Sequence, residues 1–169
     1  MEIDGKIYLR EVVRHPGGVV ILALLPDGRI PFVKQHRYPL GEELLELPAG
    51  KLDHPERPEV CAARELEEET GLRPIAIRHV CSFYTSPGFC DELLHFYFAP
   101  QVEKTEAQPE ADEDVTVELY TLDEALYLVE KGALRDGKTI LALLWLALQR
   151  QAEATEGDAA TVSPDSGPE

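Results

Sequence analysis

Residues 50–72 constrain this chain more than any other stretch. Pro58 followed by Glu59 starts a helix, because proline suits the first turn and an acid complements the helix dipole there. The residues up to Thr70 are strong helix formers, and Gly71 is a natural stop. On such a helix Glu65, Glu68 and Glu69 stand at i, i+3 and i+4 and share one face, while Ala62, Ala63, Leu66 and Thr70 offer smaller or apolar contacts. Like charges at this spacing repel by roughly a few tenths of a kcal/mol per pair. A divalent cation among the oxygens offsets that repulsion. Mg²⁺ suits the role because it takes carboxylates, water and substrate phosphate rather than a closed protein cage. Taken alone, however, three glutamates in an acidic protein are more often a solvated face.

The neighbours of the glutamates change that balance. Gly50, Glu56, Arg64 and Gly71 join them in the pattern Gly-x5-Glu-x7-Arg-Glu-U-x-Glu-Glu-x-Gly-U, where U is apolar, and every fixed position is met. This is the signature of the Nudix hydrolases, which the sequence resembles closely. The resemblance implies an α+β Nudix fold, a mixed β-sheet sandwiched between α-helices, with the signature as a loop–helix–loop. It implies further that Glu65, Glu68 and Glu69 hold the metal, that the backbone carbonyl of Ala49 is another ligand, and that Glu56 and Arg64 form a structural ion pair. An arginine fork can hold a carboxylate in this way while leaving metal-facing glutamates free. Glu67 is left as a solvated bystander.

The flanking segments resemble the ADP-ribose pyrophosphatase branch: Leu45–Asp53 (LELPAGKLD), Gln35–Pro39 (QHRYP) upstream and Ser86–Glu92 (SPGFCDE) downstream. By that likeness Arg37 contacts the diphosphate, and Ser86, Gly88 and Glu92 line the terminal-ribose pocket. On its own Ser-Pro-Gly is a common turn, and Arg37 an ordinary residue at a strand end. The implied reaction is attack of water on a phosphorus of ADP-ribose, giving AMP and ribose 5-phosphate, with Mg²⁺, or Mn²⁺ or another divalent ion, as cofactor. Glu113, in the acidic stretch Glu110–Asp114, is expected as the catalytic base; Asp112, Glu110 and Glu68 are its rivals, and an acidic turn with no catalytic part is the plain alternative. A Nudix hydrolase of FAD, a nucleotide sugar or a dinucleoside polyphosphate is the competing function, because specificity resides outside the signature. A non-catalytic nucleotide-binding module of the same fold is a further alternative. The likeness also implies a homodimer with N-terminal strands crossing to the partner. The corresponding segment is Ile7–Val13, with Tyr8, Arg10 and Arg14 nearby.

Composition sets the outer limits. A chain of 169 residues fits one domain. A net charge of −16 argues against nucleic acid or an anionic membrane as partner, and means that an anionic substrate needs metal or local arginines. The cysteines Cys61, Cys81 and Cys90 have no CxxC spacing and read as buried or idle thiols. No apolar run approaches the ~20 residues of a membrane span, and the N-terminus lacks an uninterrupted signal-peptide core, so a cytoplasmic location is expected. Asparagine is absent and methionine occurs once, which fits either a heat-adapted source or a biased genome.

Turn signals divide the rest. Gly18–Leu25 and Arg29–His36, around Pro26-Asp27-Gly28, read as a β-hairpin. Glu43–Leu47, His79–Tyr84, Glu92–Ala99 and Val115–Tyr120 read as further strands, with Pro48-Ala-Gly50 as a breaker. Leu122–Lys131 and Lys138–Arg150 read as helices. Residues 1–151 are expected to form the Nudix domain, and the small, acidic residues 152–169 a flexible tail.

Overall fold

A computed structural model of the chain describes residues 2–53, 55–105 and 115–161, with the side chains of the last helix described as far as Glu156. At the N-terminus β1 (Glu2–Ile3) and β2 (Lys6–Ile7) form a minimal antiparallel pair. The next elements are β3 (Gly18–Ala23), β4 (Ile30–Arg37), β5 (Glu42–Glu46), β6 (Ala49–Lys51) and helix α1 (Pro58–Thr70). After them come β7 (Leu72–Tyr84), β8 (Leu93–Lys104), β9 (Thr116–Tyr120), α2 (Leu122–Glu130) and α3 (Gly137–Thr161).

Strand β3 organises the molecule. It pairs parallel with β8 and antiparallel with β6, and β7 completes a mixed sheet in the order β6-β3-β8-β7. Its residues are buried throughout, because both faces of the sheet are covered. Successive side chains point to opposite faces. Val19, Ile21 and Ala23 therefore pack with Cys61, Ala62 and Leu66 of α1, whereas Val20 and Leu22 pack with Ile30 and Phe32 of β4 and Ala142, Leu143 and Leu146 of α3. Each large apolar side chain buried this way contributes roughly 1.5–3 kcal/mol. The expected α+β sandwich is thus observed. Among the described residues no helix is long and apolar enough to cross a membrane.

Three expectations need correction. The turn at 26–28 forms, with Leu25 N donating to Arg29 O at 2.9 Å, but no hairpin follows. Both edges of β3 are taken by β6 and β8, so β4 departs into a second sheet of order β5-β4-β9. The break after β5 does occur at Leu47-Pro48, but Ala49 and Gly50, read as part of the same breaker, open β6, which supplies one of those edge partners. At the C-terminal end, α3 runs past Arg150 to Thr161, into the expected tail. Gln151-Ala-Glu-Ala-Thr-Glu156 carries good helix formers and no breaker, which accounts for the helix that far, and the last turn then runs through Gly157.

The helix carrying the glutamates begins and ends as its sequence dictates. Pro58 follows an extended Arg57, and Gly71 adopts φ 66°, donating its N–H to Glu67 O at 2.9 Å.

Candidate active site

A cleft of about 1160 Å³ opens beside the N-terminal part of the signature. It gathers Arg37 from β4, Glu46 from β5, Ala49 and Gly50 from β6, Glu65 from α1, and Ser86 and Glu92 from the turn after β7. Gly88, Glu68 and Glu69 are not among its walls. Gly88 has no neighbour within 4 Å of where a Cβ would stand, so it occupies open space in the turn.

One turn of helix separates Glu65 from Glu69, and both side chains are turned inward; Glu68 lies at the edge. Glu65 reaches Gly50 across the start of the signature. A Cβ on Gly50 would fall within 3.0 Å of Cδ, Oε1 and Oε2 of that carboxylate, so only glycine leaves it room. Glu69 Oε2 accepts the backbone N–H of Ala49 at 3.1 Å. The two buried carboxylates thereby brace α1 against β6.

Arg64 makes a two-pronged contact to Glu56, Nε to Oε1 and Nη2 to Oε2, each at 3.0 Å. That guanidinium holds the Glu56 carboxyl below its ordinary range. Nη1 of Arg64 also lies 2.8 Å from Glu68 Oε2 and 3.0 Å from Glu65 Oε1. The arginine therefore does not leave the remaining glutamates untouched: at i+4 Glu68 is within its reach. Beside this group, burial and the nearby Glu56 push the Cys61 thiol up to about 12, which keeps it protonated and unreactive.

Glu67 is no bystander. It accepts from Arg73 Nε and Nη2 at 3.0 and 2.7 Å and from Thr105 Oγ1 at 2.9 Å. Thr105 N donates to Gly71 O at 2.8 Å, so the end of β8 is tied to the end of α1.

Arg37 is committed on one edge. Its Nε and Nη2 donate to Glu46 at 2.6 and 2.8 Å, and Glu46 is 1% exposed. Lys138, Asp136 and Thr139 complete a polar network that sequence reasoning missed. Two signals were available: a lone acid in Leu44-Leu45-Glu46-Leu47, and the helix-cap spacing of Asp136 and Thr139. On the opposite side Glu92 accepts from Thr85 Oγ1 at 2.5 Å and stands 3.5 Å from His15 Nδ1. Val13 N donates to Phe89 O at 2.8 Å and Arg14 pairs with Asp91 at 2.6 Å, so the N-terminal segment is fastened to the Ser86–Glu92 turn. Arg10 lies over the ring of Tyr8 at 5.7 Å.

Among the described residues, no three His, Cys, Asp or Glu side chains stand close enough to share an ion in this arrangement. The donors do fit Mg²⁺ or Mn²⁺ in kind, being carboxylate oxygens along one helix face beside the backbone of β6. The space kept clear at Gly50 for the Glu65 carboxylate favours the same group. Glu110, Asp112 and Glu113 lie outside the described residues.

The chain is similar to known proteins over most of its length. The NUDIX domain profile matches residues 14–143. An ADP-ribose pyrophosphatase of Bacillus subtilis (strain 168) is 45% identical, over 89% of this chain and 83% of that protein. A methanol dehydrogenase activator of Bacillus methanolicus is also 45% identical, over 86% of this chain and 80% of its own length. The solved structure of an ADP compounds hydrolase superposes with a TM-score of 0.73 at 16% identity, covering 81% of this chain and 74% of that one, which speaks for the fold. With the intact signature folded as a loop, a helix and a glycine cap, the chain belongs to the Nudix family.

Proposed function

We propose that this chain is a Mg²⁺-dependent pyrophosphatase that hydrolyses ADP-ribose to AMP and ribose 5-phosphate. One observation supports the reading: a single cleft is lined both by Glu65 and Gly50 of the signature and by Arg37, Ser86 and Glu92. The likeness to a protein named ADP-ribose pyrophosphatase supports the choice of substrate.

In this proposal Glu65, Glu68 and Glu69, with the Ala49 carbonyl, hold the ion, and Glu56 with Arg64 keeps the loop against the helix. When bound, the metal neutralises phosphate oxygens and acidifies the attacking water. Arg37 presents the outer edge of its guanidinium to the diphosphate. Ser86 and Glu92 offer hydroxyl and carboxylate groups to the terminal ribose, and Gly88 lets the backbone of that turn come close. Glu113 takes the proton from water, with Asp112, Glu110 and Glu68 as the competing bases. Residues 1–151 form the catalytic domain of a cytoplasmic homodimer from a heat-adapted source. Apolar side chains at the N-terminus support the dimer, since Ile7 is 87% and Leu9 84% exposed.

The test is a panel of ADP-ribose, FAD, a nucleotide sugar and a dinucleoside polyphosphate, assayed with Mg²⁺. The proposal expects the highest kcat/KM on ADP-ribose. Turnover of ADP-ribose orders of magnitude slower than of another diphosphate would overturn the substrate assignment.

A further inference from the structure

The wall of the cleft formed by β4, β5 and the start of α3 is built around one buried carboxylate. Glu46 is 1% exposed, yet it borders the cleft and meets Arg37 with both of its oxygens. Oε2 also accepts from Lys138 Nζ, and Lys138 reaches Asp136 Oδ1 at 3.0 Å. Asp136 is engaged by the start of α3, where its Oδ2 accepts from Thr139 N at 3.0 Å and Thr139 Oγ1 at 2.6 Å. Thr139 Oγ1 accepts from Leu47 N at 2.8 Å. The chain of contacts thus returns to the residue beside Glu46 and locks β5 to α3.

The charges explain why so many groups are used. A buried Glu46 paired with Arg37 alone would cancel its charge and leave little for a ligand. Lys138 sets a second cation against the same carboxylate. Asp136, the remaining anion, sits at the positive end of α3, which offsets it. Arg37 is therefore only partly neutralised by Glu46, although Asp136 and Glu69 also act on it, and its side chain is 40% exposed. Its geometry is also fixed, because a fork held through Nε and Nη2 can turn only Nη1 and the outer N–H of Nη2 elsewhere.

We propose that Glu46 and Lys138 are positioning residues for Arg37, holding its guanidinium aimed, and only partly neutralised, for the diphosphate of a substrate in the cleft. This rests on the reading that the cleft takes a nucleoside diphosphate derivative. Neither residue need touch the substrate.

The experiment compares Arg37→Met, Lys138→Met, their double variant, Lys138→Arg and Glu46→Gln. KM and kcat are measured with ADP-ribose, and affinity for inorganic pyrophosphate with Mg²⁺ is measured by calorimetry. Losing one charge-assisted contact predicts a KM and a pyrophosphate Kd raised about tenfold in Lys138→Met. Its kcat should stay within about twofold, the pattern of lost binding rather than lost chemistry. Lys138→Arg should recover most of the affinity, and in the Arg37→Met background Lys138→Met should add less than about twofold. Glu46→Gln, nearly equal in shape, should show the same KM split and decides the matter if Lys138→Met fails to fold. Additive losses in the double variant, or variants that lower only the melting temperature, would overturn the proposal. Failure of the substrate reading looks different: the wild type leaves ADP-ribose intact while the Arg37–Lys138 coupling persists in pyrophosphate binding. A wild type that binds no pyrophosphate overturns both.

Discussion

Replacing Gly50 by alanine separates the geometry of the glutamate site from the stability of the fold. Gly50 lies in β6 opposite Val19, and it is not among the glycines with left-handed backbone, so alanine meets no conformational objection there. The added Cβ would lie within 3.0 Å of all three carboxyl atoms of Glu65. Carbon atoms rest at about 3.5–4.0 Å, so the carboxylate must retreat by more than about 1 Å. Because it ends a flexible side chain, the cost in stability belongs at the low end of the ~1–3 kcal/mol typical of overpacking. For a chain of this size 1 kcal/mol moves the melting temperature by only about 2–4 °C. The effect on a metal site is larger. Mg²⁺ keeps its oxygens at about 2.1 Å with little tolerance, and disturbed support of a ligand typically costs about 10–100-fold in metal affinity or activity. Arg64 Nη1, 3.0 Å from Glu65 Oε1, is drawn along when that carboxylate shifts. The assay is the initial rate across a Mg²⁺ titration, beside a thermal melt. A folded Gly50→Ala protein with the wild-type rate and Mg²⁺ dependence would refute the placement of Glu65 at the metal.

Acid sensitivity follows from the buried wall of the cleft. Burial raises the Glu46 carboxyl, but hydrogen bonds from Arg37 and Lys138 outweigh it and hold the group below its ordinary value of 4.5. A depressed folded value means that its stabilisation is present above pH 4.5 and is lost as pH falls through the folded value. Calorimetric melting should therefore show a steeper acid limb for wild type than for Glu46→Gln; parallel limbs would contradict this. Trp145 packs against Phe96 and Phe98 at 5.3 and 5.2 Å, and Arg78 stacks on the same ring at 5.0 Å. Trp145→Ala should cost about 3 kcal/mol in denaturant unfolding, and a loss below about 1 kcal/mol would show that α3 is not held there. Ile7→Glu with Leu9→Glu should convert a dimer to a monomer in sedimentation equilibrium. An identical mass for variant and wild type would remove these residues from any interface.

What the sequence reveals depends on how local the cause is. The limits of α1 were legible because Pro58 and Gly71 act on their own turn of chain. The shared helix face of Glu65 and Glu69 was legible from spacing alone. The supposed hairpin failed because the turn at 26–28 is local whereas the partner of β3 is chosen by β8, distant in the chain. Glu67 looked idle because its partners Arg73 and Thr105 follow the helix, and only the antiparallel pairing of β7 with β8 brings Thr105 back to it. The Glu46 network was hidden for the same reason: its second cation lies 92 residues away. A lone acid between leucines marks a buried charge without naming its partner.

In the proposed function the inward glutamates of α1 drive cleavage of the ADP-ribose diphosphate. Phosphorus NMR of ADP-ribose incubated with enzyme and Mg²⁺ follows that bond directly, for wild type and for Glu69→Gln, whose amide oxygen can still accept the Ala49 N–H. Wild type is expected to replace the diphosphate signals with the two monoester signals of AMP and ribose 5-phosphate. A folded Glu69→Gln protein is expected to do so about a hundredfold more slowly. An undiminished rate in that variant, or ADP-ribose left whole while another diphosphate is cut, would contradict it.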